Sequence, residues 1–450
     1  MTDGDADRLY PNRDGATDGD GAGASGESGV SRRGLLAGSA TAGAALAAGC
    51  SSESTGRTGE TATGDGRGTR ESGEATVFVF NTEDATVSIV DPEDDEVVDT
   101  QHVGLSASFP SNQYAPGLTT DAADPLWLNV NRGVRALAAG SLSEVAHVDT
   151  GSGSNWQELT PDGESVVVSA REPAHTNYRI DADRDSDTFG EITAEIDRTD
   201  EGGRGDNDGP GPCDVTIHPD GEFAFVPDLF GDTLTVLDVE NFGIERQIDV
   251  PPVGEGVDAD GTEAASGASK PWMGTIAPSG DRLLIEHQTG TESVWDTSDP
   301  ASPELLAQLT PDDGLGEGAL TSEIGPDSRT GYVFTPGTND VSVVDVEDRE
   351  VVDRIDLGGA AFVGTWGPGH EKLYVPVQTN DEVAVIDHES REIVERISVG
   401  AAPYGATAAQ VRPEPDETAS LLAAMAAVGL DVGEADTTYC IGNCACGHQL

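Results

Sequence analysis

Four side chains that commonly bind soft metal ions lie close together near the C-terminus of the sequence. Cys440, Cys444, Cys446 and His448 follow the spacing C-x3-C-x-C-x-H. This spacing leaves too little room between ligand pairs for a zinc finger, whereas closely spaced thiolates suit Cu(I) or another thiophilic ion such as Zn(II). Thiols outside the cytoplasm also oxidise, so a disulfide from Cys440 to Cys444 or Cys446 is the alternative. The tail is therefore predicted to bind copper or zinc, or to carry a disulfide.

Five other side chains could line a ligand pocket. Three of the five tryptophans and two histidines stand near the starts of predicted strands or in the loops beside them. Aromatic walls with a few polar groups are typical of small-molecule sites, but large aromatic residues also simply pack in protein cores. Two histidines far apart in sequence could bind a metal, or could be ordinary loop residues. The candidate ligand-binding residues are Trp156, His175, Trp272, His287 and Trp366.

No motif of a known catalytic centre occurs in the sequence. The chain has no GxSxG nucleophile motif, no phosphate-binding P-loop, no HExxH metal motif and no CxxCH haem attachment. Among 83 acidic residues, a pair of carboxylates acting as acid and base cannot be recognised. We therefore assign no catalytic residue and expect binding rather than catalysis.

The charge balance is extreme, because 24 Lys and Arg residues stand against 83 Asp and Glu residues and give a net charge of −59. Such a chain repels nucleic acid and anionic lipid, which excludes proteins that bind by neutralising phosphates. Only two of the basic residues are lysines, Lys270 and Lys372, and the acids are spread along the chain. This composition is typical of an extreme halophile, where molar salt shortens the Debye length to about 3 Å and screens the repulsion.

The N-terminal residues 1–49 are predicted to be an export signal. Residues 1–30 are rich in Gly and Asp and are expected to be disordered. Arg32 and Arg33, followed by leucines and a Gly/Ala-rich run, resemble a twin-arginine signal, which carries proteins that fold before export. The run Gly34–Gly49 has 16 residues and is too short to span a bilayer, which takes about 20.

The end of this run resembles a lipobox. In the segment Leu46–Cys50, the cysteine would receive a lipid and become the new N-terminus. The alternative is that Cys50 is incidental and that the segment stays uncleaved. Residues 50–73 are rich in Ser, Thr, Gly and Glu and are predicted to be a flexible tether. We therefore expect a protein anchored by lipid to the outer face of the cytoplasmic membrane.

From residue 74 the sequence is a repeat of short β-strands. A turn with proline followed by polar residues recurs, and an apolar strand follows each time; the prolines are Pro161, Pro219, Pro278, Pro326 and Pro368. A second apolar strand and an alternating strand come next, so each repeat has about four antiparallel strands. A four-stranded sheet with two apolar faces cannot bury both alone, whereas radial stacking buries both and forms a β-propeller.

Counting the repeats predicts seven blades of four strands. Their inner strands are expected near Leu118, Trp156, Cys213, Trp272, Leu320, Phe362 and Tyr404. The last repeat is a lone strand at 404–411, and the first unit, 76–103, lacks an inner strand, so the two fragments should complete one blade and close the ring. The stretches 104–155 and 180–212 are loosely patterned, which leaves six or eight blades possible. The propeller is predicted to cover residues 74–413.

One stretch carries a family resemblance. Residues 373–405, LYVPVQTNDEVAVIDHESREIVERISVGAAPYG, resemble the YVTN-type repeat of YncE-like and surface-layer propellers, and the resemblance extends over about 76–413. It implies the fold but says little about function, since propellers host binding, scaffolding and catalysis alike. After the ring, residues 414–450 are predicted to form a short helix and the Cys/His-rich tail.

Three functions are compatible with these features. We expect a surface-anchored binding or scaffold protein that presents the face around its central channel to a protein or small-molecule ligand. The alternative is an extracytoplasmic copper, zinc or redox-associated propeller that uses the tail cluster. A third interpretation is an enzyme with its site in the channel.

Overall fold

The computed structural model describes residues 74–105, 116–152, 154–205, 207–252 and 267–433. The predicted export signal, Cys50 and the tail residues Cys440, Cys444, Cys446 and His448 lie outside these residues, so their predicted roles stay predictions. Within the described part the chain forms seven antiparallel sheets, six with four strands and one with three. The predicted seven-bladed β-propeller is therefore confirmed.

The blades are numbered in chain order, and within each blade the strands run from the channel outwards. Blade 1 contains β27 (Pro403–Ala409), β1 (Thr76–Asn81), β2 (Thr86–Asp91) and β3 (Glu96–His102); blade 2 contains β4 (Pro125–Val130), β5 (Gly133–Ala138) and β6 (Glu144–Asp149). Blade 3 contains β7 (Ser154–Leu159), β8 (Ser165–Ala170), β9 (Thr176–Asp181) and β10 (Ile192–Asp197); blade 4 contains β11 (Thr216–Ile217), β12 (Phe223–Asp228), β13 (Thr233–Asp238) and β14 (Gly243–Asp249).

The remaining three blades follow the same order. Blade 5 contains β15 (Pro271–Ile276), β16 (Arg282–His287), β17 (Thr291–Asp296) and β18 (Glu304–Leu309); blade 6 contains β19 (Thr321–Ile324), β20 (Thr330–Thr335), β21 (Asp340–Asp345) and β22 (Glu350–Asp356). Blade 7 contains β23 (Thr365–Trp366), β24 (Lys372–Val377), β25 (Glu382–Asp387) and β26 (Glu392–Ser398). Because neighbouring strands are antiparallel, the loops between second and third strands and the connections between blades lie on one face, called the channel face here.

The ring is closed by hydrogen bonding between its two ends. Strand β27 pairs antiparallel with β1, and the register places Thr76 opposite Ala409 and Val79 opposite Ala406. All seven residues of β27 are buried. The predicted closure by a C-terminal inner strand is therefore confirmed, and it removes the open edge that β1 would otherwise expose.

Blade 2 departs from the prediction of four strands. Its sheet contains only β4, β5 and β6 among the described residues, and the expected inner strand near Leu118 is instead a short 3-10 turn, Pro116–Leu118. Proline has no N–H to donate to a strand ladder, which explains why this segment turns. The carbonyl of Thr119, just after the turn, accepts a hydrogen bond from the Gln410 N–H at 2.8 Å.

Burial changes from the channel to the rim. The second and third strands pack on both faces against neighbouring blades, so nearly all their residues are buried, whereas the outermost strands are largely exposed and acidic. A β-bulge recurs between third and outermost strands in all seven blades; it lies at Ile89/Val90, Ala136/Leu137, Ile192/Ala194, Val236/Leu237, Val294/Trp295, Val343/Val344 and Val385/Ile386. Bulges and charges at edge strands prevent pairing with other chains.

One α-helix follows the ring. Helix α1 (Glu417–Ala427) begins after Asp416, whose side chain accepts hydrogen bonds from the N–H groups of Thr418 and Ala419 at 2.8 and 3.1 Å. The helix packs against β3 of blade 1. Among the residues that the structure describes, no helix has the length and apolar character needed to cross a bilayer.

Candidate functional site

The predicted tryptophans are buried in the packing between and inside the blades. Trp156 and Trp272 belong to one apolar cluster with Leu320, Phe362 and Tyr404, which come from the inner segments of five blades. The rings of Phe362 and Tyr404 stack with centroids 5.0 Å apart. These side chains form an apolar layer around the channel axis. Their role in ligand binding stays a prediction.

Trp366 lies in a separate cluster between blades 6 and 7. Its ring contacts Tyr332 edge-on, with centroids 5.8 Å apart, and meets the His388 ring at 90° with centroids 5.4 Å apart. The Tyr332 hydroxyl and the His388 Nδ1 atom are 2.8 Å apart. In this cluster, aromatic side chains of blades 6 and 7 pack against each other.

His287 is enclosed in the core of blade 5. Its Nδ1 atom is 2.8 Å from the Ser269 carbonyl, and its Nε2 atom is 3.0 Å from the Ser293 hydroxyl. Burial lowers the pKa of His287 to about 4, so the ring is neutral at pH 7. A neutral ring that donates from Nδ1 and accepts at Nε2 has no nitrogen left for a metal. His287 thus anchors the loop before β15 to blade 5.

His175 lies on the channel face, in the turn between β8 and β9. Its ring meets Phe230 edge-on with centroids 6.3 Å apart, and a Cβ atom added to Gly209 would lie only 2.4 Å from its Cγ atom. The ring is therefore covered by the long connection from blade 3 to blade 4. Burial lowers the pKa of His175, and its Nδ1 atom has no hydrogen-bond partner among the described residues.

Phe230 is the centre of this part of the channel face. The Arg171 guanidinium lies over the phenyl ring, 5.5 Å from its centroid, while His175 contacts its edge. The backbone N–H of Phe230 donates to the Pro210 carbonyl at 2.7 Å, and its carbonyl accepts from the Arg204 N–H at 2.7 Å. Phe230 remains only half-buried. Aromatic side chains and arginines are both enriched at the cores of protein interfaces, so a half-buried ring that packs against an arginine is a candidate contact residue.

The connection from blade 3 to blade 4 is fixed by a buried arginine. Arg198 donates to both carboxylate oxygens of Asp228 at 2.7 and 2.8 Å, and to both oxygens of Glu201 at 3.0 Å. Its Nη2 atom also lies 3.0 Å from the Thr235 hydroxyl. Arg198 and Asp228 are completely buried, and this pairing raises the pKa of Arg198. A buried bidentate pair of this kind defines the geometry of the loop that it holds.

A second ion pair fixes the next connection. Arg204 pairs with Asp232, and its Nη2 atom donates to the Leu229 carbonyl at 2.6 Å. The other carboxylate oxygen of Asp232 accepts from the N–H groups of Ser269 and Lys270 at 3.0 and 2.8 Å. The loops on either side of blade 4 are thereby attached to the same turn. Ser269 is also the partner of His287, so the network continues into blade 5.

Five buried carboxyl groups form a second unusual feature, which the sequence reasoning did not identify. They come from blades 3 to 6, four from the first two strands or the segments before them and Glu292 from the third strand of blade 5. Glu158 is half-buried and the other four are completely buried; the five are Glu158, Asp214, Glu286, Glu292 and Glu323. Burial is the main cause that raises the pKa of each, and neighbouring carboxyl groups add to it in four of the five. The pKa of Glu286 rises to about 8.

These carboxyls divide into two groups by their hydrogen bonds. Glu158 accepts from the Ile217 N–H at 2.6 Å, and Asp214 accepts from the Val215 and Gly274 N–H groups at 2.6 Å, so these two tie neighbouring blades together. In contrast, no oxygen of Glu286, Glu292 or Glu323 has a partner of good hydrogen-bond geometry among the described residues. Such groups are held in the protonated form at neutral pH, because an unpaired buried charge is far more costly.

The described residues contain no cluster of three or more His, Cys, Asp or Glu side chains arranged to hold a metal ion. The buried carboxyls are therefore not a preformed metal centre. The sequence indicates the buried carboxyls only weakly, through acidic residues inside strand sequences such as RLLIEH and TSEI. In a chain with 83 acidic residues this signal could not be distinguished from surface charge.

Several solved structures are similar to this chain in fold. No protein-family model matches the chain, and no curated protein matches it. A protein from Lactobacillus plantarum is similar in structure, with a TM-score of 0.58 and 15% identity, covering 74% of this chain and 99% of that one.

Two further similar structures carry names that describe an activity. The periplasmic gluconolactonase PpgL of Pseudomonas aeruginosa has a TM-score of 0.55 and 17% identity, covering 74% of this chain and 98% of its own. A putative 6-phosphogluconolactonase from Bacteroides uniformis has a TM-score of 0.56 and 14% identity, covering 74% and 99%. The likeness is one of fold. At such identities it carries no activity over to this chain.

Proposed function

We propose that this protein is a surface-anchored β-propeller that binds a ligand or partner protein on its channel face. In this proposal the chain follows the twin-arginine route and is lipidated at Cys50, as Arg32, Arg33 and the segment Leu46–Cys50 suggest. It works in high salt, as its net charge of −59 suggests. The propeller fold supports binding and scaffolding equally well. A copper or zinc role for Cys440, Cys444, Cys446 and His448 is kept as the alternative.

The observation that carries the proposal is the arrangement around Phe230. Two loops that join blades are held by the Arg198–Asp228 and Arg204–Asp232 pairs, and between them a half-buried aromatic ring lies beside Arg171. Loops fixed on a rigid scaffold lose little entropy when they bind, which favours recognition. Of the carboxyls described above, Asp214, Glu286, Glu292 and Glu323 have no exposure to solvent.

The binding surface is tested with two matched phenylalanine variants. Phe230→Asp should reduce cross-linking of the protein to its partner in intact cell envelopes by at least about tenfold, because it places a charge in the contact. Phe223→Asp is the control, since Phe223 is also half-buried but lies at the opposite end of strand β12. Cross-linked adducts are quantified by mass spectrometry, and melting curves confirm that both variants fold.

Two outcomes would contradict the proposal. Equal adduct yields for both variants would place the contact elsewhere. Hydrolysis of D-glucono-1,5-lactone by the purified protein, well above the spontaneous rate and lost in a His175→Gln variant, would replace binding by the activity that the names of similar structures suggest.

The anchor is tested at Cys50. Replacing Cys50 by Ser should release the protein from the membrane fraction into the medium, because a thioether-linked lipid can no longer form. Cell fractionation and the mass of the N-terminal peptide give the readout. A Cys50→Ser protein that stays entirely with the membrane would show that no lipid at Cys50 is needed to retain it.

A further inference from the structure

Helix α1 exposes an apolar surface on a protein that is otherwise strongly acidic. Nine large hydrophobic residues are exposed in the described part of the chain, and the three most exposed follow one another closely: Leu421 at 62%, Val428 at 74% and Leu430 at 53%. Leu421, Ala424 and Val428 are spaced by three and four residues and share one side of the helix. From Thr418 to Leu430 the sequence contains no charged residue.

The opposite side of the helix is fixed to blade 1. Ala423 is buried, and the Ser420 hydroxyl donates to Asp99 of β3 at 3.0 Å. A groove of about 470 Å³ lies where the chain leads into the helix; its lining has the apolar residues Ile89, Val98, Pro413 and Pro415 and the charged residues Glu74, Asp99, Arg412 and Glu414. The helix therefore presents its apolar side outwards from a defined place on the ring.

The N-terminal end of the propeller lies in the same groove. Glu74 lines this groove and pairs with Arg412 at 2.6 Å. Arg412 lies four residues before Asp416, which caps the N-terminus of helix α1. Arg412 also donates to Asp91 at 2.8 Å and to the Ala75 carbonyl at 3.2 Å. The segment that leads to Cys50 thus leaves the ring next to helix α1.

We infer that helix α1 is a second membrane contact, which lies on the lipid surface beside the anchored N-terminus. The inference rests on the proposed lipid anchor at Cys50. Between Cys50 and Glu74 there are 24 residue steps, which span at most about 80 Å, so an anchored ring stays close to the membrane. With 11 residues, about 16 Å, the helix cannot cross a bilayer and would lie along it. A second apolar contact would add to the attachment that a lipid at Cys50 provides.

The test separates the helix from the anchor. Full-length Cys50→Ser protein in 3 M KCl is mixed with vesicles of equal parts phosphatidylcholine and phosphatidylglycerol, and bound protein is measured by flotation. Adding Leu421→Glu and Val428→Glu should weaken binding by roughly tenfold or more, because two carboxylates enter the lipid contact. Val352→Glu with Val394→Glu is the matched control, since these valines are 43% and 50% exposed on the rim of blades 6 and 7.

A second measurement uses the lipidated protein. Amide hydrogen exchange in residues 418–430 should be slower in lipidated protein on these vesicles than in Cys50→Ser protein without vesicles. The helix substitutions should abolish this difference. Equal exchange in both states, or equal flotation of the helix and rim variants, would overturn the inference. A dimer in sedimentation that the helix variant dissolves would also overturn it, by making the helix a subunit interface. Failure of the anchor itself appears separately, as a missing lipid mass at Cys50.

Discussion

A chain that ends after Gly400 is expected to aggregate or to lose most of its stability. This truncation removes β27, whose seven residues are all buried and whose ladder with β1 closes the ring. The inner edge of blade 1 and the apolar faces that β27 covers would be exposed together. The expected loss is several kcal/mol, a large part of the roughly 5–15 kcal/mol that stabilises a domain.

The matched control is a chain that ends after Pro415. It keeps β27 but lacks α1 and the tail, so it should remain monomeric and melt cooperatively near the temperature of the full chain. Size-exclusion chromatography and thermal unfolding followed by circular dichroism give the comparison. A monomeric, cooperatively melting chain after truncation at Gly400 would mean that the seven blades hold together without strand pairing between the two ends.

The buried carboxyls predict a loss of stability towards alkaline pH. For an acid with a raised pKa, the folded protein holds the proton while the unfolded chain has released it. Stability is therefore complete below the unfolded pKa, about 4.5 for Glu, and falls as the pH rises to the folded pKa, about 8 for Glu286. This one group accounts for a loss on the order of a few kcal/mol between these pH values. Glu292 and Glu323 act in the same direction.

Neutral isosteres test this expectation. Glu286→Gln and Glu323→Gln mimic the protonated side chains, so each should flatten the decrease in melting temperature between pH 5 and pH 9 by several degrees. Glu350→Gln on the exposed strand β22 is the control for the general effect of removing one acid. The measurement is thermal unfolding at constant 3 M KCl. A wild-type melting temperature that stays constant or rises over this range would refute the assignment of protonated buried carboxyls.

The sequence predicted the ring because its signals are local and repeated. The proline turns at Pro219 and Pro368 and the apolar strands behind them recur at regular spacing, and the lone strand at 404–411 complements the incomplete first unit. These patterns follow directly from burial and turn chemistry. The inner segment of blade 2 was missed because a strand was expected by analogy with the other blades, although Pro116 and Gly117 favour a turn.

The candidate site was less predictable because its contacts join residues far apart in sequence. The sequence around Arg198 does not differ from that around a surface arginine, although its side chain pairs with Asp228, thirty residues later. Phe230 follows a strand as an ordinary loop residue would, yet it lies between Arg171 and His175 from the preceding blade. His287 at the end of β16 is buried with both ring nitrogens hydrogen-bonded, to Ser269 and Ser293, and no local pattern in the sequence signals these partners.

The closure of the ring also sets an order of events during synthesis. Thr76 of β1 pairs with Ala409 of β27, so the inner partner of β1 is synthesised 333 residues after it. At about 5–20 residues per second, that interval is roughly 20–70 s, during which the inner edge of blade 1 has no partner strand. Contacts this distant also slow folding, because the loop must close before they form. The nascent chain therefore reaches its final topology only near the end of translation, when this last inner strand is made.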